Sequence, residues 1–185
     1  GGGSEALKAV TDGGYNVALG FQSGSSITTG DENIFIGQGS GSGTADVDKS
    51  IAIGSGAASG AMVAAADGTI AIGYTALQAL TSGQYNTAVG FEALKTESAN
   101  GDYNTAIGYQ ALETMAADTD GHGHNTAVGY NAAQALTTAT SCVAIGSLAL
   151  GAGTVTGDDN ICIGKSAGTV LAGGESNVLI GSDAG

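Results

Sequence analysis

Asn86-Thr87-Ala88-Val89-Gly90, Asn104-Thr105-Ala106-Ile107-Gly108 and Asn125-Thr126-Ala127-Val128-Gly129 are three copies of one pentad. Weaker copies close on Gly20, Gly37, Gly54, Gly73, Gly146, Gly164 and Gly181, and successive closing glycines are 17, 17, 19, 17, 18, 21, 17, 18 and 17 residues apart. A short, nearly fixed period marks stacked units that lean on their neighbours rather than a ball built around one centre. The repeat covers Tyr15 to Gly181 and leaves no room for a second domain. Residues 1–185 are therefore read as one array, expected to be a segment of a longer fibrous protein.

Inside the pentad the second and fourth positions hold the large aliphatics, as in Val17 and Leu19, Ile34 and Ile36, Ile51 and Ile53, Ile70 and Ile72, or Ile161 and Ile163. Alternation of β-branched residues with period two predicts a short strand in every repeat. Thr87, Thr105 and Thr126 keep the β-branch in the second position and exchange a methyl for a hydroxyl. The aliphatics are expected to fill each coil. The intervening Asn, Ala and Gly then form a narrow opposite face, expected to lie against another copy of the chain. Three aliphatics make a thin core against the backbone entropy of ordering a coil, so an obligate oligomer is expected.

The first position forms a column of Asn16, Asn33, Asn86, Asn104, Asn125, Asn160 and Asn177, with Ser50 and Thr69 as smaller polar substitutes. Stacked amides can hydrogen-bond along the column and to turn backbone, so the column predicts a ladder at a corner of the coil. Turn formers such as Gly30-Asp31, Asp67-Gly68 and Gly157-Asp158 precede it and mark the passage between coils. An aromatic follows the closing glycine in five repeats (Phe21, Tyr74, Phe91, Tyr109 and Tyr130), and then Ala-Leu or a relative. The pattern leaves strand and helical turn both open for that second limb.

Composition narrows the class. Thirty-four glycines without proline or tryptophan lack the three-residue period of collagen, and the Ala, Val, Ile and Leu content argues against disorder. Four lysines, spread over different repeats, face seventeen carboxylates for a net charge of -13. No basic stripe exists to follow a phosphate backbone, which excludes nucleic acid as a partner. No run of eighteen apolar residues predicts membrane insertion of this segment. Cys142 falls in the Asn column and Cys162 in the Ala column, an offset that sets their Cα atoms roughly 8 Å apart on stacked strands. Two free thiols are expected, packed as small apolar groups.

Ser141-Cys142-Val143-Ala144-Ile145-Gly146 and Ser50-Ile51-Ala52-Ile53-Gly54 resemble the head repeats of YadA-type trimeric autotransporter adhesins. Asn104-Thr105-Ala106-Ile107-Gly108-Tyr109-Gln110-Ala111-Leu112 is similar to repeats of bacteriophage tail fibres. The resemblance spans all ten repeats and implies an all-β fold, a left-handed parallel β-roll solenoid of about ten coils in a homotrimeric fibre. It implies a shaft or head on a cell surface or virion, outside the cell. The longer repeats of this chain place their extra residues in loops at the turn.

Candidate sites are few. Asp118-Thr119-Asp120-Gly121-His122-Gly123-His124 is the one place where metal-like chemistry gathers, and His122 and His124 from three chains would offer six imidazoles. His124 also occupies the column of Tyr15, Tyr85 and Tyr103, so it reads equally as a replacement for tyrosine, and no metal or cofactor is assigned. No nucleophile elbow or convergent carboxylate pair supports catalysis. The sequence thus predicts a non-enzymatic structural or adhesive fibre that spaces or presents contacts with a host-surface glycan or protein. A glycan-degrading tailspike-like enzyme and an ice-binding solenoid are the alternatives.

Overall fold

The structure is a computed structural model that describes residues 2–63, 66–96, 101–115, 123–151 and 153–185. It is an all-β parallel solenoid. Ten three-residue strands form one parallel sheet in chain order. They are β1 Val17–Leu19, β2 Ile34–Ile36, β3 Ile51–Ile53, β4 Ile70–Ile72, β5 Thr87–Val89, β6 Thr105–Ile107, β7 Thr126–Val128, β8 Val143–Ile145, β9 Ile161–Ile163 and β10 Val178–Ile180. Each strand opens the coil of the same number.

Register follows the pentad without a slip. Val17, Ala18 and Leu19 pair with Ile34, Phe35 and Ile36, and Thr87, Ala88 and Val89 with Thr105, Ala106 and Ile107. Even the 21-residue repeat keeps it, pairing Ala106 with Ala127. Backbone bonds tie successive coils on both sides of the strand: Thr87 N donates to Asn104 O at 2.8 Å, and Gly90 N to Ile72 O at 2.7 Å.

The closing glycine is required by contact as well as conformation. Gly37 has φ +126°, and a Cβ there would sit 2.6 Å from the carbonyl oxygen of Gly54 in the next coil. Beyond it the second limb is neither strand nor helix but a run of turns, with left-handed residues at its second and fourth places after the glycine. In coil 5 these are Glu92 (φ 55°) and Leu94 (φ 49°), and in coil 6 Gln110 and Leu112 (both φ 51°). Left-handed steps turn the limb back so that Ala93, Leu94, Ala111 and Leu112 are buried within the coil.

The two faces of the strand are reversed relative to the sequence expectation. The middle residue of nearly every strand points inward and is buried (Ala52, Ala71, Ala88, Ala106, Ala127 and Ala144 among them), while the flanking aliphatics are half-buried or exposed. Alanine does not look out toward another chain; it fills the narrow interior opposite the second limb. Volume explains the choice. Where the limb supplies Leu94 or Leu112, the strand supplies Ala88 or Ala106; where it supplies Gly24 and Gly41, Phe35 enters, and a Cβ on Gly24 would lie 2.8 Å from that ring. Close packing admits one large side chain per layer.

Candidate binding surface

The outward side of the sheet carries four parallel columns across coils 4 to 7. Tyr85, Tyr103 and His124 precede the asparagine; then come the second-position residues Thr87, Thr105 and Thr126 and the fourth-position residues Val89, Ile107 and Val128. Past the bend at the closing glycine stand Tyr74, Phe91, Tyr109 and Tyr130. In-register pairing turns each sequence position into a row, and the rings stack. Tyr74 and Phe91 have centroids 5.2 Å apart, Phe91 and Tyr109 5.1 Å, and Tyr109 and Tyr130 5.4 Å, with planes within 17°. Tyr85 stacks on Tyr103 at 5.3 Å, and Tyr103 on His124 at 5.1 Å.

Beside the four-ring column runs a polar ladder. Glu92 takes Lys95 Nζ at 2.7 Å on one carboxylate oxygen and Gln110 Nε2 at 2.6 Å on the other. Gln134 Nε2 donates to Glu113 at 2.7 Å and Asn131 Nδ2 to Gln134 at 2.9 Å, so amide and carboxylate alternate up to coil 7. The hydrogen bond from Lys95, with that from Gln110, holds the Glu92 carboxyl below its ordinary value. The same tetrapeptide, Glu5-Ala6-Leu7-Lys8, repeats the arrangement at the other end, where Glu5 accepts from Lys8 and Gln22, each at 2.8 Å.

The asparagine column runs through the structure behind this face. Asn104 donates both its backbone N–H and its Nδ2 to Asn86 Oδ1, at 2.9 and 3.1 Å, and Asn125 does the same to Asn104 at 3.1 and 3.3 Å. Asn33 treats Asn16 likewise, and Asn177 treats Asn160. The outer Nδ2 hydrogen reaches turn carbonyls, for example from Asn33 to Val47 at 2.7 Å. Where asparagine is missing the column continues through backbone: Ser50 N donates to Asn33 Oδ1 and Cys142 N to Asn125 Oδ1, both at 2.9 Å. The closing glycines Gly20, Gly37, Gly54, Gly73, Gly90, Gly108, Gly129, Gly146, Gly164 and Gly181 all have φ between +126° and +141°.

A second ladder escaped sequence reasoning. Asp48 Oδ1 accepts from Asp31 N at 2.7 Å, Asp67 from Asp48 N at 2.8 Å, Asp102 from Gln84 N at 2.7 Å and Asp158 from Thr140 N at 2.8 Å. Asp31, Asp67 and Asp158 read in the sequence only as turn formers, and the ladder's one signal there is the shared phase of its aspartates just before the asparagine column.

His124 is exposed and continues the tyrosine column; His122 lies outside the described residues. Among the described residues no group of three or more His, Cys, Asp and Glu side chains is placed to hold a metal ion. Cys142 and Cys162 are free and buried, and burial pushes both thiols up. Among those residues, too, no helix is long and apolar enough to cross a membrane. The surface offers ring, hydroxyl, amide and carboxylate groups at even steps along the solenoid.

The chain matches no family model, no curated protein and no solved structure. Function therefore rests on this geometry and on the resemblance of the pentads.

Proposed function

We propose that the chain is a non-enzymatic segment of a homotrimeric fibre, carried on a cell surface or a virion, that spaces or presents contacts with a host-surface glycan or protein. The observation that carries this reading is the apolar strip on the outer face of the sheet. Two rows of Val, Ile, Leu and Thr run the length of ten strands, without a charged residue in either row. Ile107 is 40 % exposed and Ile145 39 % although both lie in the middle of the array. Ten strands are separated by nine steps of about 4.8 Å, so the strip runs about 43 Å, and a continuous exposed apolar patch of this kind marks an interaction surface.

A second copy is the occupant that fits. The strip is uncharged and repeats at the rung spacing, so an identical strip matches it in length and period, whereas the rest of an acidic chain repels its like. Three copies about one axis are what the resemblance to adhesin heads and tail fibres implies. A rod of identical rungs acts through avidity, many weak contacts instead of one pocket. Sedimentation equilibrium tests the reading: a mass three times the 17.7 kDa of the chain is expected. A monomer across the micromolar range would overturn it.

A further inference from the structure

We propose that coils 4 to 7 bind a linear, neutral, β-linked glycan lying parallel to the solenoid axis along the column Tyr74, Phe91, Tyr109 and Tyr130. This deepens the adhesive reading above and rests on it, by assigning the ligand class and its place. Three observations converge.

The first is the state of the rings. Parallel rings whose centroids are 5.1 to 5.4 Å apart are further separated than the ~3.5–4.0 Å of carbon surfaces in contact. Offset stacking brings them into contact only if each ring slips past the next, in the manner of shingles, so part of every face stays open. All four are indeed exposed, from 41 % at Phe91 to 54 % at Tyr130. Open aromatic faces in a row accept the apolar C–H faces of sugar rings.

Period is the second. An extended β-1,4-linked chain of pyranoses advances by nearly the same distance per ring as the column does per coil, so one sugar meets one aromatic without strain. Three of the four aromatics also have polar neighbours from their own coil: Glu92 and Lys95 beside Phe91, Gln110 and Glu113 beside Tyr109, Asn131 and Gln134 beside Tyr130. These half-buried groups are held in position by one another and offer both donors and acceptors to hydroxyls at those steps.

Charge is the third observation and selects within the class. The chain carries -13 overall, and Glu92 and Glu113 outnumber Lys95 in the ladder itself. A uronate or sulfated chain is repelled there, and a neutral one is not.

Titration calorimetry with cellohexaose, cellobiose and a β-1,4-linked hexamer of glucuronate tests the proposal on the assembled chain. Affinity for cellohexaose is expected to exceed that for cellobiose at least about ten-fold, because adjoining subsites act together. The glucuronate hexamer is expected to give no heat. Phe91→Leu, which keeps apolar volume and removes the ring, and Tyr109→Ala should each weaken cellohexaose binding about ten-fold, whereas Tyr15→Ala, away from the column, should leave it unchanged. Circular dichroism and sedimentation of each variant separate lost binding from lost folding. Absence of cellohexaose binding, equal binding of the uronate, no gain with length, or indifference to both ring variants would overturn the proposal. Failure here with an intact trimeric mass removes the glycan site alone; a monomeric mass with intact binding removes the trimer alone.

Discussion

One added carbon separates a stackable coil from a blocked one. Gly37→Ala places a Cβ against the Gly54 carbonyl and forces φ +126° on an L-residue, so a loss of about 3 kcal/mol or more is expected in urea unfolding. Gly181 shares the conformation (φ +130°) but a Cβ there meets nothing within 4 Å, and Gly181→Ala should cost only the strain, about 1–2 kcal/mol. Equal costs at the two sites would mean that contact with the next coil is not what selects glycine. Asn104 is the other sensitive residue, since it bonds both ways in its column. Asn104→Ala keeps the backbone N–H but strips Asn86 Oδ1 of its Nδ2 donor and leaves the Asn125 N–H and Nδ2 without their shared acceptor, all buried, and about 3 kcal/mol should be lost in the same assay. At the surface, Glu92 is a pH-dependent contributor. Its carboxyl is depressed in the fold, so the stabilisation is complete above the ordinary value of 4.5 and disappears as pH falls through the lower, folded value. The melting temperature of Glu92→Gln should therefore lie slightly below that of the parent at pH 7 and coincide with it near pH 2; a gap that widens in acid would refute the assignment.

At the scale of the strand and its opposing limb, stability depends on paired volumes. Phe35→Ala should cost about 3–5 kcal/mol, because the ring fills the space that Gly24 and Gly41 leave open. Adding Gly41→Leu recreates the Ala88 and Leu94 arrangement of coil 5, where leucine already adopts a left-handed φ of 49°. The double variant is expected to be more stable than Phe35→Ala alone, and a double variant that is worse would reject the pairing rule. This coupling also shows what the sequence could and could not disclose. The strands, their register, the glycine corner and the asparagine column are legible because each is set by phase alone. Which face of the strand turns inward is not, because hydrophobicity points the wrong way: Ile51, Ile53, Ile70 and Ile72 are greasier than the Ala52 and Ala71 between them, yet the interior of those coils has room only for the smaller residue. The left-handed limb was equally hidden, since Glu92 and Leu94 are ordinary helix formers whose conformation is imposed by neighbouring coils. Columns of aromatics were visible as a phase, but their stacking and the ladder of Glu92, Gln110, Glu113 and Gln134 emerge only once the rungs are laid in register.

Over the whole molecule, the reversed faces change what an assembly mutant should look like. Ala88 and Ala106 are interior, so a bulky residue at either breaks the coil itself, and loss of assembly would follow from unfolding. The informative positions are the outer rows. Ile53 and Ile107 sit on the strip in separate coils and are not fully buried within the chain, so Ile53→Lys with Ile107→Lys adds two charges to the proposed interface at modest cost to each coil. Packed copies would bring like charges together in a desolvated strip, from which they have no carboxylate partner in either row. Sedimentation of the double variant should therefore show the single-chain mass of 17.7 kDa, while circular dichroism retains the β spectrum of the parent. A trimer that survives both lysines would move the interface off the strand face, and the strip would then need another occupant of its own length.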